Sequence, residues 1–321
     1  MPSSDYLVDR RLLRRKLSFW RIAAFLFLIA AVVISALRLT GVSEPSRLAP
    51  HIARLSIEGV ITGDRDTLKL IQDIEESHAS GVLISIESPG GTTTGAERLY
   101  DALRALSAKK PTVALVGTMA ASGGYIAALG TEQIVAQGNS LVGSIGVLIQ
   151  YPNLAKLLDK IGIEVEAVKS SPLKAEPNGF GPTSPEARAA LASLVGDSFN
   201  WFKTLVKERR KLSDKELDTV ADGRVFTGRQ ALPLHLVDRL GGEHEAIAWL
   251  EQEKGLKKDL PVRDWKKQRS LERLGILGVF AQLSDAIGLY SLGGFFERAE
   301  TATKLRLLDG LLAIWQVEPR N

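Results

Sequence analysis

Between residues 53 and 250, short apolar runs alternate with stretches of helical spacing, and this alternation constrains the fold more than any other feature of the chain. Arg54–Ile61 alternates as a half-buried strand does, while Asp66–Ser77 sets Leu68, Leu70, Ile71 and Ile74 at helical spacing. Gly81–Ile86 (GVLISI) and Pro111–Val116 (PTVALV) are compact apolar runs of the kind covered on both faces of a sheet. Thr94–Ala108 reads as the helix between them. A helix start at Ser122–Leu129, a strand at Gln133–Ala136, an extended stretch at Leu141–Gln150 and a helix at Pro152–Ile161 follow. Val165–Val168 reads as a strand, Ser170–Pro185 as a loop rich in Pro and Gly, and Ser184–Lys211 as a long helix. Repeated strand–helix alternation predicts an α/β fold, a parallel sheet with helices packed on it. Residues 262–321 differ, reading as helical with no strand. Ile276, Phe280, Leu283, Ile287 and Tyr290 share one apolar face there, suited either to the chain's own domain or to a subunit or membrane contact.

The amino terminus has a separate logic. Ile22–Leu37 (IAAFLFLIAAVVISAL) holds sixteen residues without a charge, bracketed by Arg21 and Arg38, with Trp20 at its start. As a helix it is roughly 24 Å long, enough for a bilayer core once flanking arginines snorkel. A cleaved secretory leader is the alternative, with Gly41–Ser43 as a weak cleavage site; an uncleaved anchor is the preferred reading. Residues 1–21 carry six cations and two anions, which places this end in the cytoplasm and the body of the protein across the membrane. Without that tail, 35 Lys+Arg face 35 Asp+Glu. The basic balance therefore belongs to the tail and gives no reason to expect a nucleic-acid partner. Residues 40–52, with Pro45 and Pro50, form a linker.

Exclusions narrow the chemistry. There is no cysteine, which removes thiolate catalysis, disulfides and cysteine metal sites. The four histidines (His51, His78, His235, His244) lack metal-ligand spacing, and no phosphate-binding glycine loop follows a strand. Neither a metal nor a cofactor is expected. Two glycine-rich stretches remain. Ser88-Pro-Gly-Gly91 leads from a strand toward a helix, either as a plain tight turn or as a source of backbone donors for an oxyanion. Gly117–Tyr125 (GTMAASGGY) places the lone hydroxyl of Ser122 among very small residues at a helix start. Small residues serve close packing; they also serve a nucleophile, since the positive end of a helix favours an oxyanion. A serine nucleophile needs a base, and no histidine is an obvious partner. A lysine serves in a dry pocket, where burial favours its neutral form. Lys174 lies in KSSPLKAEP after the Val165–Val168 run, and composition alone does not promote it above a solvated loop lysine.

At this point the residues resemble a family. IESPGG (86–91), TMAASGGYIAALG (118–130), LVGSIGV (141–147) and SSPLKAEP (170–177) resemble, in order and spacing, the short form of the bacterial signal peptide peptidase A family. These are membrane-anchored serine peptidases with a Ser–Lys dyad and a fold related to Clp protease and the crotonases. The resemblance implies Ser122 as nucleophile, Lys174 as general base and Ser144 as the residue orienting the lysine amine. It makes the backbone N–H groups of Gly91 and Gly123 the oxyanion hole. Residues 170–172 (SSP) and Ala175 depart from the family's usual small, flexible residues before the lysine and acidic or polar residue after it. The implied organisation is a cytoplasmic tail (1–21), a transmembrane helix (22–39), a linker (40–52), a peptidase domain (53–255) and a helical extension (256–321). The implied function is hydrolysis of remnant signal peptides or other small, apolar peptides at the outer side of a bacterial inner membrane, by a homo-oligomer. Alternatives are a processing protease cutting one membrane protein, as in stomatin-operon peptidases, a crotonase-like acyl-CoA enzyme, or a non-catalytic scaffold.

Overall fold

The computed structural model describes residues 19–27, 29, 49–266 and 312–314. The chain divides into two compact units, residues 1–48 with 268–291, and residues 49–267 with 292–321. In the first, residues 19–27 are helical, and most of their side chains are exposed. No helix among the described residues is long and apolar enough to cross a membrane. Residues 30–39 of the expected anchor, and the apolar face from Ile276 to Tyr290, lie outside the described residues.

The second unit is built on one sheet. In chain order it runs β1 (His51–Ile61), α1 (Arg65–Glu76), β2 (Ala79–Thr92), α2 (Thr93–Lys109), β3 (Thr112–Ala121), α3 (Gly123–Leu129), β4 (Gln133–Ala136) and β5 (Leu141–Gly143). There follow α4 (Ala155–Lys160), α5 (Pro185–Arg210), α6 (Asp214–Val220), β6 (Val225–Thr227), α7 (Gly228–Ala231), β7 (Arg239–Leu240), α8 (Glu243–Gln252), β8 (Val262–Trp265) and β9 (Leu312–Ile314). The main path of the sheet is β6-β5-β3-β2-β1-β8, with β4 beside β3, β7 beside β4 and β9 beside β2. The β8-β1-β2-β3 core and the β3-β4 and β3-β5 pairs are parallel, whereas β5-β6 and β2-β9 are antiparallel. This is the α/β architecture that the strand–helix alternation predicts.

Period-two burial divides the strand residues between two apolar layers. Val82, Ile84, Ala114, Val116, Ile134 and Ala136 join the larger layer with residues of α1, α2, α3 and α5. Leu83, Val113 and Val135 face the other way, onto Ala246, Trp249 and Leu250 of α8. Each fully buried aliphatic side chain of this kind contributes about 1.5–3 kcal/mol of transfer free energy. The helices start on side-chain caps: Asp64 accepts from Thr67 N–H, Thr92 from Gly95 N–H and Ser184 from Ala187 N–H.

Four local readings change. Val165–Val168 forms no strand and is exposed, because the run has no sheet edge to pair with. Leu141–Gln150 is a strand only as far as Gly143. His51 is not linker: it opens β1, is fully buried and lies parallel to Trp265 with ring centres 6.0 Å apart. Its Nε2 accepts from Trp265 Nε1–H at 3.2 Å and its Nδ1 lies 2.9 Å from Ala49 O, which marks a satisfied structural histidine. The region read as helical beyond residue 255 contributes two strands to the sheet, β8 and β9. The peptidase unit therefore extends past residue 255.

Candidate active site

The site grows from the end of β3. Ala120 is the last residue of β3 to pair with β2, opposite Ser88, and Met119–Ala121 pair on the other side with β5. The chain then turns at Ser122 into α3, whose seven residues are all buried. Ser122 has φ 54° and ψ −116°, a conformation that costs a residue with a Cβ about 1–3 kcal/mol. Two hydrogen bonds hold it there. Its N–H donates to Gly143 O at 2.8 Å, and its carbonyl accepts from Ile126 N–H at 3.0 Å. The side chain does not cap α3, so the hydroxyl is not committed to the helix it precedes.

The glycines that follow divide the two duties left open by the sequence. Gly124 serves packing. A Cβ there would lie 2.7 Å from Ser88 O and 3.2 Å from Ser88 Cβ, so α3 approaches β2 only without a side chain. Gly123 is the first residue of α3, where the N–H groups have no partner inside the helix. Strained placement of Ser122 beside such donors is what a nucleophile requires. Deep anchors fix the helix from behind. Tyr125, fully buried, donates its O–H to Leu236 O at 2.7 Å, and burial pushes its phenol above the ordinary value, keeping it a neutral donor. Arg209 donates to Leu129 O and Thr131 O at the far end of α3, both at 2.9 Å. Arg210 grips Asp238, which also accepts Ile134 N–H at 2.7 Å.

Ser144 is brought to the same place. It follows Gly143, the residue whose carbonyl holds Ser122, and is itself buried with φ 52°. Its N–H donates to Arg224 O at 2.8 Å. Gly91 lies on the neighbouring strand. Ser88–Gly91 is not a turn; it continues β2 beside Val60 and Ile61 of β1. Gly91 has a packing reason to be glycine, since a Cβ there would overlap Ile61 O. Ser88 is fully buried; its Oγ donates to Gly59 O at 2.6 Å and accepts Gly90 N–H at 3.1 Å, stitching β1 to β2 where their register shifts. That role of Ser88, and the grip of Gly143 on Ser122, have no local sequence signature, because each partner is distant in the chain.

Lys174 is placed differently. Residues 147–183 form an arm in which Gly179 alone is buried. Lys174 lies on a turn of that arm, its N–H donating to Ser171 O at 3.1 Å, with the side chain exposed and Ala175 next to it at φ 59°. Within the arm Lys169 pairs with Glu176, and that hydrogen bond holds the Glu176 carboxyl below its ordinary range. Among the described residues of this one chain, the structure gathers Ser122, Gly123, Ser144 and the Gly91 strand, and shows no bond between Lys174 and them.

A buried, strained serine at a strand-to-helix junction, backed by glycine-allowed close packing, is the layout of an α/β hydrolytic enzyme that carries a serine nucleophile. The family model of peptidase family S49 matches residues 104–257, the stretch that carries Ser122, Ser144 and Lys174. The Synechocystis sp. protein slr0021, provisionally named a protease, is 39% identical over 210 residues, covering 65% of this chain and 76% of that one. The chloroplastic serine protease SPPA of Arabidopsis thaliana is 32% identical over 203 residues, covering 62% of this chain but only 30% of its own longer one. A point mutant of ClpP1 from Listeria monocytogenes aligns with a TM-score of 0.41 at 14% identity, over 63% of this chain and 95% of that one. The chain belongs to peptidase family S49 and is a serine peptidase.

Proposed function

We propose that this protein is a membrane-anchored serine endopeptidase that uses a Ser122–Lys174 dyad to degrade small, apolar peptides such as remnant signal peptides. The observation that carries the reading is the backbone of Ser122: φ 54° at a buried junction, held by Gly143 O, in a chain of family S49. In the proposed cycle the neutral amine of Lys174 takes the Ser122 proton as Oγ attacks the scissile carbonyl. Backbone N–H groups of Gly123 and Gly91 stabilise the oxyanion, and the resulting ammonium protonates the leaving amine. Water then hydrolyses the acyl-enzyme with the same base. Ser144 orients the amine.

A lysine base has to be dry. The arm that carries Lys174 exposes Leu157, Ile161, Ile163, Val165 and Val168 to water, more apolar surface than an isolated chain keeps uncovered. That supports a homo-oligomer in which further copies cover the arms and desolvate the dyad. The uncharged Ile22–Leu37 run and its flanking arginines support an inner-membrane anchor with the peptidase unit on the periplasmic side.

The test is intact-mass detection of an adduct with a serine-reactive fluorophosphonate on wild type, Ser122→Ala and Lys174→Ala. The expected result is one adduct on wild type, mapped to Ser122 and lost in both variants. A folded, assembled wild type that takes no adduct overturns the proposal, and so does a Lys174→Ala variant labelled at the wild-type rate.

A further inference from the structure

The β2 edge beside Ser122 is already occupied. Gly90 and Gly91 pair with Val60 and Ile61 of β1 on one edge. On the other edge β3 runs beside β2 only as far as the Ser88–Ala120 pair, then leaves the sheet at Ser122. From Gly90 onward that vacated edge is taken by β9, with Gly90 opposite Ile314, Gly91 opposite Ala313 and Thr92 opposite Leu312. The pairing is antiparallel, so the segment runs from Leu312 at the Thr92 end toward Ile314 at the end nearest Ala120 and Ser122. An extended peptide in this register delivers its next residues in the N-to-C direction toward the nucleophile. That is the direction of the acyl side of a substrate attacked at Ser122.

We propose that residues 312–314 are an intramolecular occupant of the peptide-binding edge, so that the chain's own carboxyl-terminal segment competes with substrate for β2. This rests on Ser122 being the nucleophile, as proposed above. Main-chain pairing to a free strand edge recognises an extended peptide regardless of most side chains. Here the edge residues are two glycines and a threonine, and the occupant reads Leu-Ala-Ile, with alanine opposite Gly91. The partner class is therefore an extended, apolar peptide with a small residue at the Gly91 position. The amide of Gly91 belongs to the strand that β9 covers, so occupation and oxyanion stabilisation draw on the same strand.

The experiment compares the full chain with a form ending at Asp309 and with Ala313→Pro in the full chain, which removes one backbone N–H from the segment. Two readouts are taken: the rate of Ser122 labelling by a fluorophosphonate, and the kinetics of a fluorogenic apolar tetrapeptide. A tethered competitor acts at an effective concentration in the millimolar range, so release is expected to lower KM about tenfold with kcat within about twofold, and to speed labelling about tenfold. A synthetic peptide of residues 308–318 is expected to inhibit the shortened form competitively. Labelling at equal rates in all three proteins, with no effect of the peptide, overturns the occupant and leaves the nucleophile standing. No labelling of Ser122 in any of them overturns both.

Discussion

The two halves of the candidate site are built to opposite standards. Ser122 sits at the end of a strand inside the larger apolar layer, and every residue of the helix it opens is buried. Lys174 sits on an arm of 37 residues, 147–183, in which Gly179 alone is buried. The contrast shows what each half needs. A nucleophile in a strained conformation needs a rigid frame, since only dense packing sustains φ 54° at a serine. A base that works by being dry gains its environment from whatever closes over the arm. One chain completes the first requirement and leaves the second open.

The largest expected effect breaks the contrast at the arm. Ile163→Asp together with Val165→Asp places charges on its exposed apolar surface and is expected to reduce the assembled mass toward that of one chain. Peptide turnover should fall about 100-fold through misplacement of the base, while the melting temperature of the sheet unit holds. Sedimentation and peptide kinetics read both, and full activity in a dissociated form would show that the arm needs no cover. A smaller effect sharpens the contrast with paired glycine substitutions. Gly124→Ala forces a Cβ to within 2.7 Å of Ser88 O and is expected to cost about 1–3 kcal/mol by denaturant melts. Gly181→Ala, on the arm with open space around its Cβ, is expected to fall within about 0.5 kcal/mol of wild type. Equal costs would mean that the close approach of α3 to β2 is not sustained. The smallest effect concerns pH. The hydrogen bond from Lys169 lowers the Glu176 pKa in the folded arm, so this clasp adds stability above the unfolded carboxylate value of about 4.3 and loses it as pH falls through the depressed folded value. Amide exchange across 169–178 is expected to quicken in acid at a pH where exchange in β2 and β3 is unchanged. A Lys169→Met variant removes that step if the clasp is its cause.

How far the site was legible follows the range of the interactions involved. Short-range signals carried well. The apolar runs at Gly81–Ile86 and Pro111–Val116 lie in β2 and β3, the Asp66–Ser77 pattern in α1, and the serine of GTMAASGGY at the start of a buried helix. Three- and four-residue strands did not carry. Val262–Trp265 pairs with β1 across more than 200 residues of chain, and a run that short has no period that distinguishes strand from helix. Val165–Val168 fails in the opposite direction, since β-branched residues favour a strand only where an edge exists to receive them. His51 looked like linker because its partner, Trp265, is 214 residues away.

The sequence by itself determined the alternation that makes a mostly parallel sheet, the charge-free run near the amino terminus, and the identity of a serine set among small residues. These are local properties, written in spacing and side-chain size. Only the tertiary structure decided that Ser122 is held at positive φ by Gly143, that Gly124 is glycine to admit Ser88, and that the Ser88–Gly91 stretch is strand rather than turn. It also decided that the edge beside the nucleophile carries β9. Each of those depends on backbone groups brought together from distant parts of the chain, and hydrogen bonds between them leave no periodic trace in either partner's sequence.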